Sequence, residues 1–398
     1  MNIFSNLKLR ASWGQLGNQQ IGSDFPYVSS ISLGSRNYMF GNSVYLGATQ
    51  NVLANEKIKW ETTETTNFGI DAGFLKQRLS FSFDYYIRNT KDILLNLPIP
   101  LDIGLSAPPQ NAGNVKNEGW DFSLNWHDRV KDFNYNIDIN VADVKNSVTS
   151  LGSLGSIISG NSITQVGSPI GMIYGYKSIG MFPDAATIAS SPTQIGTLIP
   201  GNIRYEDQMT VDSDGDGIKD KADGKINADD RVILGNPFPR LTYGLNLDAT
   251  YKGFDASVSI QGVGKRDVLL GGDYVWPLYN AGNIQQWHVN ECWTPERLDA
   301  KYPIIKPTSA GSNDNQTSST WVFDAAYLRV RNITLGYTFS NTLLKKISVS
   351  KLRIYGSGQN LFTFDNLPEG IDPLAPNGTQ GGLYPIVRNF ILGVELNF

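Results

Sequence analysis

Cysteine is almost absent from this 398-residue chain: Cys292 is the only one, so no internal disulfide framework is possible. Histidine is nearly as scarce, with His127 and His288 alone, which leaves little room for histidine-based catalysis or a zinc centre. No run of about 18 apolar residues occurs, so a membrane-spanning helix is not expected. A basic surface is missing too. The formal charge is −4, which argues against an electrostatic grip on nucleic acid. The opening "MNIFSNLKLRASWGQLGN" has no charged start followed by an apolar stretch, so it is no export leader and reads at once as a strand. The expectation is that Met1 is not the natural start.

What the chain has is glycine, 40 residues of it, and aromatics at 11%, with 18 Tyr and 18 Phe. Such a composition suits a turn-rich, all-β fold. The dominant pattern is period-two alternation. In "FNYNIDINV", Phe133, Tyr135, Ile137, Ile139 and Val141 point one way and Asn134, Asn136, Asp138 and Asn140 the other. The stretches "TYGLNLDATY", "FDASVSI" and "LSFSFDY" repeat it, and no helical stripe of similar length competes.

About ten strands are expected, near 6–16, 58–75, 79–96, 113–128, 133–147, 240–252, 254–266, 324–340, 351–364 and 388–398. Each is roughly as long as a membrane-crossing strand must be. Their connections sort by length. "LKQR", "VKD" and "KG" are tight, whereas 17–57, 97–112, 148–239, 267–323 and 365–387 are long. Tight turns at one end and long loops at the other mark outer-membrane barrels, while soluble sandwiches have shorter strands and unsorted loops. The closing "NFILGVELNF" puts Phe390, Leu392, Val394, Leu396 and Phe398 on one face, as a lipid-facing strand ending in a girdle aromatic should.

Several ordered segments carry a family resemblance. They are "LKLRASWGQLGN", "IKWETTETTNFGIDAGFLKQRLSFSFDYYIRNTKDILL", "NAGNVKNEGWDFSLNW", "DRVILGNPFPRLTYGLNLDATYKGFDASVSIQG", "WTPE", "AYLRVRNITLGYTF", "LRIYGSGQNLFTF" and "YPIVRNFILGVELNF". Together they resemble the C-terminal half of SusC/RagA-type, TonB-linked outer-membrane transporters. The resemblance implies an antiparallel transmembrane barrel of the 22-strand class, of which this chain holds about ten strands. Such proteins carry an N-terminal plug and a TonB-contacting segment, neither of which has a counterpart here. Ten strands alone leave two open edges in lipid, so the natural protein is expected to be longer. Implied partners are a SusD-like lipoprotein lid, the TonB complex and outer-membrane lipid. The implied cargo is a nutrient oligomer, a glycan ahead of a peptide. With the C-terminus in the periplasm, every long segment becomes extracellular, and 148–239 becomes one excursion in which "IGMIYGYKSIGMF" and "VILG" are strand-like without being a spanning pair, or else form an added hairpin.

Inside that excursion lies "VDSDGDGIKDKADGKINADDR". Asp212, Asp214, Asp216, Asp220 and Asp223 fall at calcium-loop spacing, Gly217 permits the sharp turn, and the Ile218 carbonyl adds an oxygen. Asp229 or Asp230 is a further donor. Oxygen-only ligands favour Ca2+ over zinc. Asp in place of the final Glu, with no flanking helices, sets it apart from an EF-hand. The other reading is a solvated run of Asx turns with no ion.

The remaining features have plainer readings beside the chemical ones. His288 and Cys292 in "QQWHVNECW" are spaced to share a metal, or else belong to a loop packed by Trp287 and Trp293. Tyr274, Trp276, Trp287 and Trp293 either stack on sugar rings or pack the loops. His127 follows Trp126 at a strand end, as a turn or interface residue rather than a ligand, and "GVGKRD" lacks phosphate-loop spacing. No nucleophile–base pair or paired carboxylates point to an enzyme. A calcium-dependent surface adhesin on a β-sandwich and a secreted hydrolase are the competing classes, and dependence on detergent for extraction separates them from a barrel.

Overall fold

A computed structural model describes residues 4–20, 27–97, 99–340, 349–374 and 386–398. Its main element is one antiparallel sheet of ten strands. We number them β1 (Phe4–Asn18), β2 (Glu61–Phe74), β3 (Leu79–Asn96), β4 (Pro109–Val130), β5 (Phe133–Leu151), β6 (Arg240–Tyr251), β7 (Phe254–Lys265), β8 (Tyr327–Thr338), β9 (Lys351–Asp365) and β10 (Asn389–Asn397). Each pairs with the next in chain order, so the sheet is a meander with β1 and β10 at its edges. Every expected strand is present, with ends displaced by no more than a few residues.

The register keeps side-chain parity from strand to strand, which is what a two-faced sheet requires. One row runs Leu9, Ile70, Phe83, Phe122, Val141 and Tyr243 across β1 to β6. Another runs Ile137, Leu247, Val258, Ile333, Gly358 and Phe390 across β5 to β10. The opposite face carries Lys8, Asp71, Ser82, Ser123, Asn140, Gly244, Gln261, Arg329 and Thr363 in one row. A sheet greasy on one side and polar on the other, with no second sheet among the described residues laid on its apolar face, is a barrel wall and not a sandwich half.

The connections sort by end as the sequence predicts. Residues 75–78, 131–132 and 252–253 turn the chain tightly. Leu75, Lys76 and Gln77 take left-handed backbone at φ 53, 61 and 68, as does Lys131 at φ 56. Lys252 and Gly253, at φ 47 and 91, make the doubly left-handed turn whose twist suits a two-residue hairpin. The β8–β9 connection lies partly outside the described residues. At the other end, the 148–239 and 267–323 segments fold over one another. "IGMIY…" and "VILG" do pair: Met172–Tyr176 lies beside Arg231–Gly235 in a separate four-stranded sheet, and neither joins the wall.

The main hydrophobic core sits in these excursions. Ile173, Tyr176, Ile203 and Tyr205 from the first pack against Val268, Leu270, Val275, Tyr302, Trp321 and Phe323 from the second. That location is physical necessity: the wall is one layer thick, so only the excursions can bury side chains on all sides.

Candidate functional site

On the polar face, arginines stitch strands together across glycine. Arg10 on β1 and Asp84 on β3 are both register partners of Gly69 on β2. Arg10 donates to Asp71 through Nε at 2.8 Å and to Asp84 through Nη1 at 2.8 Å, while the Ser82 hydroxyl donates to Asp71 at 2.8 Å. A β-carbon at Gly69 would lie 2.6 Å from the Asp84 carboxylate and 2.7 Å from Arg10 Cζ, so glycine is what allows the crossing. The same device recurs on β7–β9. Arg353 donates to Asp255 at 2.9 and 2.5 Å over Gly336, where a β-carbon would meet Asp255 at 2.6 Å. Beside the first bridge, Ser82, Asp121, Ser123, Asn140, Thr242 and Gln261 line a recess of about 470 Å³. It presents hydroxyl, amide and carboxylate groups on this face.

Above the wall, the two excursions are tied by a buried polar knot built on Asp314. Its carboxylate accepts from the Asn202 amide at 2.5 Å and from the Ile203 backbone N–H at 2.8 Å. Lys306 Nζ stands 3.5 Å away. Neighbouring Asn313 exchanges bonds with Gln194 and the Ile203 carbonyl, and its own carbonyl accepts from the Tyr205 hydroxyl at 2.6 Å. The Trp321 indole donates to the Asp314 carbonyl at 2.7 Å. Sequence reasoning missed this knot. "SNDNQTSST" reads only as a polar loop, and Gln194, Asn202, Ile203 and Tyr205 stand more than 100 residues before it.

Of the two readings for "QQWHVNECW", the structure selects packing. His288 is fully buried on the short helix Gln286–Glu291. Its Nδ1 accepts from the Gln285 backbone N–H at 2.9 Å and its Nε2 meets the Val275 carbonyl at 2.8 Å, so both ring nitrogens are used. Burial holds its pKa below the ordinary value. Burial likewise pushes the Cys292 thiol up to about 12, far from a metal-ready thiolate. Trp293 is buried, Trp276 stacks edge-on to Tyr279, and Trp287 packs on Tyr302, so these aromatics build the loop core. His127 sits on β4 and pairs with Asn125.

The acidic run forms the tip of a hairpin, Met209–Val211 paired with Lys221–Ala222. Gly217 takes φ 89 as its motif position requires, and Gly215 takes φ 81. Asp212, Asp214 and Asp216 converge, each offering an oxygen within 4.8 Å of the others, and all three are exposed. Asp220 and Asp223 stand apart from them. Asp220 accepts from the Ser213 backbone and hydroxyl at 3.0 and 2.8 Å, and Asp223 accepts from Lys225 N and Asn227 Nδ2. Asp230 is buried and takes the Gln208 and Asn227 backbone N–H groups instead of facing the tip. Asp212 accepts from Gly215 N and Gly217 N at 2.7 and 2.9 Å, and these bonds hold its carboxyl below the usual range. The oxygen-only donor set of Asp212, Asp214 and Asp216 fits a calcium ion; the other two carboxylates are turned to local donors.

A meander of long strands with one greasy and one polar face, turned tightly at one end and capped by folded excursions at the other, defines the wall of an outer-membrane β-barrel. The chain belongs to the TonB-dependent receptor-like β-barrel family, whose model matches residues 2–361. TonB-dependent receptor P3 of Formosa agariphila is 30% identical over 425 aligned residues, covering 100% of this chain and 40% of the relative. TonB-dependent receptor SusC of Bacteroides thetaiotaomicron is 30% identical over 416, covering 100% and 38%. The chain therefore spans about two-fifths of the length of the curated relatives it matches. Among solved structures, a chain of the RagAB peptide importer in its open-open state superposes with a TM-score of 0.79 at 23% identity, over 100% of this chain and 41% of that one. The wall accordingly lies in the outer membrane.

Proposed function

We propose that this chain supplies part of the wall and the outer mouth of a TonB-energised importer of nutrient oligomers. The observation that carries the reading is the two-faced ten-stranded sheet, whose polar side is suited to line a passage and whose apolar side is suited to face lipid. In this reading the tight turns face the periplasm and the long excursions face the medium, where a SusD-like lipoprotein covers them. The plug and the segment that meets TonB come from elsewhere in the full protein. The cargo is a glycan ahead of a peptide. Supporting it is the hydroxyl- and amide-rich recess around Ser82, Ser123 and Gln261, matched to a polyhydroxylated chain. The RagAB importer is named for peptides, and peptide cargo is the competing reading. The test is uptake of fluorescently labelled oligosaccharides and peptides by cells with and without the full-length receptor. Receptor-dependent, TonB-dependent uptake of an oligosaccharide supports the proposal, and dependence for peptides alone overturns the cargo assignment.

At the hairpin tip, Asp212, Asp214 and Asp216 would hold a calcium ion with the Ile218 carbonyl, and Asp220 and Asp223 would join by exchanging their local donors for the ion. Its role would be structural, cancelling the mutual repulsion of close carboxylates and pinning the tip.

A further inference from the structure

The apolar face is not uniformly filled. Near the tight-turn end, small side chains interrupt it, and a groove of about 660 Å³ opens over Ala249, Ala256 and Gly356, walled by Tyr251, Phe254 and Leu392. A second recess of about 410 Å³ continues it along the strands over Ile137, Leu247 and Val258, sharing Phe133, Ala249 and Ala256. From Tyr251 to Leu247 the run is about 13 Å long at the usual rise per residue. Its lining is carbon almost throughout, and it runs along the strands rather than as a round pit.

Two lysines lie beside residues of its lining, Lys131 near Phe133 and Lys252 next to Tyr251. Lys131 and Lys252 sit in adjacent tight turns, because their flanking residues Phe133 and Tyr251 are register partners. Both lysines are exposed, and neither forms an ion pair among the described residues. The Lys252 ammonium lies 5.3 Å from the Tyr251 ring centroid, so it is held over the groove's aromatic wall. Asp132 is the one carboxylate in these two turns. Phe254 and Tyr337, with ring centroids 4.6 Å apart, mark this level as the membrane interface.

A linear greasy slot with a basic head end matches one ligand chemistry. We infer that the groove retains a single anionic phospholipid of the leaflet at the tight-turn end, its phosphate by Lys131 and Lys252 and an acyl chain along Ala249 and Ala256. The inference rests on the proposed orientation, which places that leaflet on the periplasmic side. Close fit to the chain supplies retention, and the lysines supply headgroup choice.

The experiment is native mass spectrometry of the full-length receptor, released from detergent after incubation with equal amounts of phosphatidylglycerol and phosphatidylethanolamine. One bound phosphatidylglycerol is the expected dominant adduct. The K131Q/K252Q double variant should lose on the order of twentyfold of that preference, since each such cation contributes a factor of about five. A256L/A249L, which fills the slot while keeping the face apolar, should lose the adduct of either lipid. Equal binding of the two lipids, or an undiminished adduct in A256L/A249L, overturns the site. A detergent-resistant dimer lost in A256L/A249L would mean that a second copy covers the groove, and also overturns it. Labelling of a cysteine at Lys76 from outside intact cells would overturn the orientation instead, a failure distinct from loss of lipid selectivity.

Discussion

Arg10 and Asp84 meet at 2.8 Å although a whole strand separates them, because the residue between them is Gly69. The polar face is thus knitted by bonds that skip a strand. Backbone ladders join nearest neighbours only, so these bridges add ties between next-nearest ones. At Gly336 the pattern repeats with Arg353 and Asp255.

Leucine at Gly69 should therefore break a bridge rather than fill a gap. Its β-carbon arrives within 2.8 Å of both partners, and overpacking of this kind costs about 1–3 kcal/mol. Urea unfolding of the full-length receptor in detergent should show a lower midpoint for Gly69→Leu. Gly14→Ala is the control, as nothing lies within 4 Å of the new methyl. Equal midpoints for Gly69→Leu and the parent would show that the bridge carries no stability.

Side-chain parity makes a labelling prediction. Ile137 and Asp138 are neighbours in sequence on opposite faces of β5. A cysteine at Ile137 should react with a lipid-phase probe and one at Asp138 with a water-soluble probe, in the full-length protein. On β10, Leu392 is 90% exposed on the apolar face. Leu392 lies two residues from the Tyr337 level, so Leu392→Arg should cost less than the about 2–4 kcal/mol of an arginine at the bilayer midplane.

For the hairpin tip, calcium should suppress protease nicking within 205–235 and a chelator should raise it, with the wall strands unaffected. In the proposed orientation the tip faces the medium, where an affinity on the order of 10⁻⁴ to 10⁻³ M suffices. Asp214→Ala with Asp216→Ala should abolish the calcium dependence. Nicking indifferent to calcium in the parent would reduce the tip to hydrogen-bonded Asx turns.

His288 gives a pH dependence with a definite sign. Burial sets its folded pKa below the ordinary value near 6.5, so the unfolded loop binds the proton more readily. Its contribution to stability is complete above about pH 6.5 and falls as pH drops toward the folded pKa. Hydrogen exchange of amides in 268–323 should accelerate between pH 7 and 5, after correction for intrinsic rates. His288→Gln should flatten that dependence.

The wall was readable because a strand in a two-faced sheet writes its environment locally. β3 was expected at 79–96 and spans Leu79–Asn96. The excursion core left no such mark. Trp321 and Phe323 are buried by residues from 173 to 302, contacts with no period along the chain. The acidic tip was half readable. Spacing brought Asp212, Asp214 and Asp216 together, but Ser213 sits where its hydroxyl and N–H capture Asp220, and no count of intervals along the chain reveals that competition.

The Asp314 knot has a mechanical meaning. Parting the two excursions would strand a buried carboxylate and several amide groups, each lost partner costing about 1–3 kcal/mol. A load applied to either excursion is thereby shared with the other. Where the chain leaves the sheet the tie is repeated: the Asn236 backbone N–H donates to the Asp267 carboxylate at 2.7 Å, joining the roots of both excursions.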